Sequence, residues 1–135
     1  MAGESKQVHP NALPGFLKAV VTPEKLRDHY LNPMSARGKH KALVIKSALG
    51  FDQSNWELLK EAILDTLPYH EAVCRKQTEY GSEYTVMLPI TGPNGQTQEV
   101  LTGWIIEVAT DYPRLTIARV VTEKEAGYVK YQKGS

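Results

Sequence analysis

The chain has 135 residues, 41% of them hydrophobic and 23% charged, which fits one domain with a core of its own. A formal net charge of +1 argues against a chain-wide basic field for nucleic acid, and a single cysteine, Cys74, excludes an intramolecular disulfide. No stretch approaches the roughly 20 apolar residues of a membrane span, and Met1 to Ala19 lacks the apolar run of a secretory signal, so a cytoplasmic setting with no membrane partner is expected.

Residues 1–13 show no apolar period and are predicted as a flexible N-terminus, followed by a single α+β domain over 14–122 and a C-terminal tail over 123–135. Gly134 and Ser135 have the composition of a cloning remnant. Thr22-Pro23-Glu24-Lys25 is a helix start: Thr22 caps the orphan amides, and proline loses nothing at the first helical position. Leu26 and Tyr30, four apart, share a face, and Asn32-Pro33 stops the helix. A second helix is predicted from Lys39 to Leu49, with Ala42, Ile45 and Leu49 inward and Gly50 as a left-handed C-terminal cap. Ser54-Asn55-Trp56-Glu57 matches a capping box for a third helix, buried through Leu59, Ala62, Ile63 and Leu67 and ended by Pro68.

From His70 onward the period becomes two. Tyr84, Val86, Leu88 and Ile90 form one alternating set, Val100, Thr102, Trp104, Ile106 and Val108 a second, and Leu115, Ile117 and Val121 a third. Strands are predicted at 83–90, 97–108 and 114–121, preceded by one beginning near His70. Turns fall at Tyr80-Gly81, Gly92-Pro93-Asn94-Gly95 and Asp111-Tyr112-Pro113. Such short links leave no room for a crossover, so sequential strands pair antiparallel. The expected fold is therefore α+β, with N-terminal short helices packed on one face of a four-stranded antiparallel β-meander.

The candidate chemistry is sparse. His9, His29, His40 and His70 share no metal-ligand spacing, and neither a phosphate loop nor Gly-x-Ser-x-Gly is present, so no metal or cofactor is expected. Cys74, in a predicted strand, is expected as a small buried hydrophobe, and Trp104 as core. The dense polar cluster is Ser35-Ala36-Arg37-Gly38-Lys39-His40-Lys41. It opens a helix, where free amides and the dipole favour an anion, and Arg37, Lys39 and Lys41 add cations for a phosphate or carboxylate. His40 exchanges a proton near neutral pH. Tyr80 stands at a turn, and Arg114 and Arg119, an odd offset apart, are expected on opposite sheet faces. The bland alternative for the cluster is a solvated loop and helix start.

Glu24-Lys25-Leu26 with Tyr30-Leu31-Asn32-Pro33, Gly38-Lys39-His40-Lys41-Ala42, Leu49-Gly50-Phe51, Tyr80-Gly81, Gly92-Pro93-Asn94-Gly95, Trp104-Ile105-Ile106 and Pro113-Arg114-Leu115 resemble an uncharacterised bacterial domain family. The resemblance covers about residues 14–121. It implies a small accessory protein of mobile elements or toxin-type loci. The order of helices then meander is similar to the barnase, EndoU, colicin and RelE type of metal-independent ribonuclease, by architecture alone. That likeness casts His40, Tyr80 and Arg114 as catalytic and Arg37, Lys39 and Lys41 as the phosphate clamp, with RNA as substrate. The rival expectation is a non-catalytic module for a protein partner or small anionic ligand, such as a phage-encoded inhibitor of a host system, acting through the same basic turn or a sheet edge. An enzyme should hold His40 beside a second titratable group in a cleft; a binding module should show an exposed apolar patch or an unpaired edge.

Overall fold

The computed structural model describes residues 7–36 and 39–121. A short helix α1 (Pro23–Lys25) runs into a π-helical turn (Leu26–Tyr30), followed by α2 (Lys39–Leu49) and α3 (Trp56–Thr66). Four strands complete the domain: β1 (Ala72–Thr78), β2 (Gly81–Thr91), β3 (Thr97–Glu107) and β4 (Arg114–Val120). They form one sheet in the order β1-β2-β3-β4, every pair antiparallel, as the short turns require. The α+β expectation holds.

The helices cover one sheet face. Val86, Leu88 and Ile90 of β2, Val100 and Trp104 of β3, and Leu115 and Ala118 of β4 meet Leu26, Tyr30, Ile45, Leu49, Leu59, Ile63 and Leu67 in a single core. The Trp104 indole N–H donates to Thr102 Oγ1 at 2.9 Å, and the Thr102 hydroxyl donates to the Val86 carbonyl at 2.7 Å, so the polar atoms of this interior are paired.

Four expectations need correction. Residues 9–13, expected as part of a flexible N-terminus, are packed against the fold: the His9 amide donates to the Pro68 carbonyl, the Asn11 carbonyl accepts from the Ala72 amide, and Leu13 is fully buried. Residues 1–6 and the tail over 123–135 lie outside the described residues. Cys74 is exposed, because the layers above the sheet cover only the start of β1. Ser54 does not cap α3. A 3-10 turn (Gln53–Asn55) precedes that helix, and Asp52 caps the turn, accepting from the Ser54 amide while Asn55 Oδ1 accepts from the Asp52 amide. The box is present, two residues earlier and with different partners.

The fourth correction concerns β4. Its register shifts opposite Gly103/Trp104: Leu115 pairs with Trp104 and Ile117 with Gly103, leaving Thr116 as the extra residue of a bulge. Side chains of paired residues share a face. Arg114 therefore goes with Ile105 and Arg119 with Leu101, both on the face turned away from the helices. The bulge cancels the odd offset, and it moves Ala118 into the core in place of Ile117.

α2 is fastened to the sheet at its C-terminal end. Gly50 (φ 88°) ends the helix in the left-handed region. The Asn94 amide and side chain then donate to the Leu49 and Ala48 carbonyls at 3.3 and 3.2 Å, satisfying carbonyls the helix itself leaves open. The β2–β3 turn approaches so closely that a Cβ on Gly92 would lie 1.9 Å from the Leu49 carbonyl oxygen.

Candidate binding site

Side chains of α2 step round the axis by about 100° per residue, so neighbours in sequence point apart. Lys39, Leu43 and Lys46, spaced four and three, share one stripe. His40 and Lys41 rotate progressively away from it. The basic cluster is thereby split. Lys39 and His40 are exposed and Lys41 is half-buried, and Arg37 with Gly38 lies outside the described residues. Among the described residues, none hydrogen-bonds the His40 ring.

Tyr80 and Arg114 stand elsewhere. Tyr80, 72% exposed, occupies the β1–β2 turn, where its carbonyl accepts from the Val108 amide. Arg114 Nη2 lies 3.1 Å from Glu107 Oε1 at the same end of the sheet. That end is opposite the Gly92–Asn94 turn to which α2 is fastened. β2 has 11 residues and spans about 36 Å, whereas α2, also 11 residues, spans about 16 Å. The helix is too short to carry His40 to Tyr80. Tyr80 and Arg114 thus share one end of the sheet, with β3 between them, and the α2 residues stand apart from both.

A concavity of about 270 Å³ opens beside the Lys39–Leu43–Lys46 stripe. Its apolar wall is Leu31, Pro33, Ala42 and Leu43, and its polar wall is Lys46, Asp52, Gln53 and Ser54. Three segments meet here, each tied in place. Gln53 Nε2 donates to the Arg27 carbonyl at 2.9 Å, joining the 3-10 turn to the π-helical turn. Asn55 Nδ2 donates to the Gly50 carbonyl at 3.1 Å, joining the same turn to the end of α2. Asn32 Oδ1 accepts from the Met34 amide at 2.9 Å, shaping the turn that carries Pro33.

The electrostatics of the cavity are asymmetric. Hydrogen bonds from the Ser54 hydroxyl and amide, with Lys46 nearby, hold the Asp52 carboxyl below the usual carboxylate range against a small opposing effect of burial. Asp52 is thus anionic and already engaged. Lys46 and Ser54 are exposed at the rim, and Leu43 is 46% exposed. Below the cavity, Arg27 and Lys60 each stand 5.8 Å from the Trp56 ring centroid, and Arg27 is paired with Asp28 at 2.8 Å.

The sequence marks Lys46 only as the end of the acid-free basic run from Arg37, and sequence reasoning missed Asp52 and Gln53, which come from a separate segment. It also missed His29, whose Nδ1 lies 3.4 Å from Ser35 Oγ and whose ring meets Tyr30 edge-on at 4.5 Å. The Asn32-Pro33 turn, which folds Ser35 back onto the π-helical turn, was the one available signal. Among the described residues, no group of three His, Cys, Asp or Glu side chains is placed to hold a metal ion, and no helix is long and apolar enough to cross a membrane.

No curated protein and no solved structure matches the chain. One family model, described as a domain of unknown function (DUF6883), matches residues 12–122, nearly the whole of the described fold. The chain belongs to that family.

Proposed function

We propose that this protein is a non-catalytic binding module that works through the concavity beside α2. The observation that carries this reading is the cavity itself: an apolar wall and a charged rim, preformed by hydrogen bonds between three chain segments. Its volume, about 270 Å³, is just below the usual range for drug-sized ligands and suits a single bulky group. Acid–base cleavage of RNA asks for His40, a partner acid or base and a cationic clamp around one phosphate. Here His40 is exposed on α2 while Tyr80 and Arg114 sit at the far end of the sheet. Docking of this kind suits the accessory role that the family resemblance implies.

Two measurements test the reading together. Methyl NMR during titration with indole should move the Leu31, Ala42 and Leu43 signals and leave Leu88 and Ile90, buried in the core, unmoved. Incubation with total RNA in chelator should leave the RNA intact. Unmoved cavity methyls, or RNA cleavage that His40→Ala abolishes, would overturn it.

A further inference from the structure

We infer that the occupant of this cavity is a segment of a partner protein that presents one bulky apolar side chain between two carboxylates about 10 Å apart; the inference rests on the binding-module reading above. The spacing comes from α2. Lys39 and Lys46 are seven residues apart on one stripe, about 10 Å along the axis, with Leu43 between them. The whole helix, Lys39–Leu49, carries Lys39, His40, Lys41 and Lys46 and no acid, so its outer surface has one sign of charge. Asp52 offsets this charge only in part. Its carboxylate, held by the Ser54 amide and hydroxyl, is one negative charge beside Lys46 against the three lysines of the helix.

The apolar part of the surface continues beyond the cavity. Met34 is 87% exposed next to Pro33, and Leu43 itself is 46% exposed. A free small ligand that fills 270 Å³ would leave these side chains in water, whereas a peptide anchored in the cavity covers them as it passes. A central apolar anchor ringed by complementary charge is the usual arrangement of a protein docking site. In a polyproline II segment, with three residues per turn, carboxylates three residues apart share a face and match the separation of the two lysines at about 3.1 Å per residue. In a helical segment, carboxylates seven apart do so.

The test is selection of a displayed random 12-residue peptide library on the folded full-length protein. Recovered peptides should share one Leu, Ile, Met, Phe or Trp flanked by Asp or Glu at three- or seven-residue spacing. Their affinity, read by fluorescence polarisation, should fall at least tenfold in the Lys39→Glu/Lys46→Glu variant and fall with added salt. Both lysines are exposed, and circular dichroism of the variant checks that the fold is kept. A second variant, Leu43→Asp, should abolish binding of the same peptides. Recovery of apolar peptides with no acidic bias, or equal binding by the charge-reversed variant, would overturn the acidic-partner inference while leaving the cavity's role in docking intact. If no peptide is recovered and indole still moves the cavity methyls, the peptide occupant is wrong and the cavity reading stands. If indole moves nothing, both fall.

Discussion

Thr102 shows how one hydroxyl supports an otherwise apolar interior. It is the acceptor for the Trp104 indole and the donor to the Val86 carbonyl, with no exposure to water. Thr102→Val keeps the shape and strands the indole N–H, which should cost about 1–3 kcal/mol in urea denaturation. Asp52 offers a second test. Its folded-state pKa is depressed, so its contribution to stability is full above the unfolded value, about 3.9, and is lost as pH falls through the lower folded value. Asp52→Ala should lower the denaturation midpoint at neutral pH more than Ser54→Ala does, and Asp52→Asn should flatten this part of the acid limb. Equal midpoints for the Asp52 and Ser54 alanine variants would mean that the turn is capped otherwise.

At the scale of elements, the sequence carried the apolar stripes well and the interruptions poorly. Ala42, Ile45 and Leu49, and Leu59, Ile63 and Leu67, are buried as their spacing demands, because burial of a helix face is what selects that spacing. The bulge at Thr116 was hidden because Ile117 and Ala118 are both acceptable inward residues, so the alternation does not register the slip. The cap of α3 moved because Gln53–Asn55 adds a tighter turn before the helix, and both Asp52 and Ser54 are good capping types. The cavity was illegible for another reason: its walls come from 31–33, 42–46 and 52–54, and no local pattern links them. Gly92 was readable as a turn residue but not as a contact. Gly92→Ala would push a methyl group into the Leu49 carbonyl and should cost about 2–3 kcal/mol by chemical denaturation, with the Asn94 and Gly50 amides shifting in NMR spectra. A neutral result would show that the end of α2 is free to move off the turn. Sheet edges likewise needed the structure. β1 is interrupted midway by a bulge at Arg75, with Lys76 next to it, and β4 is covered where Val20 and Tyr30 hydrogen-bond to it, so neither edge is left as a flat template for strand addition.

For the whole molecule, the near-neutral total of +1 conceals a division of labour. α2 is wholly basic, while α3 carries Glu57, Glu61 and Asp65. The two helices thus give the layer above the sheet opposite polarities on either side of the 52–55 turn. The sheet beneath has a different organisation, since each strand pairs with its neighbours in sequence. The consequence is temporal. Contacts within a meander close short loops, which is the condition for rapid assembly. The Val20–Arg114 bridge, by contrast, must close a loop that contains all three helices and most of the sheet. Refolding should therefore zip β2 and β3 together outward from Gly92–Gly95, with β1 and β4 following and the N-terminal strap last. In pulse-labelled hydrogen exchange, the amides of Val86 and Val100 should gain protection before those of Val20 and Leu115; simultaneous protection would mean that the strap helps to nucleate the sheet instead of locking a finished one.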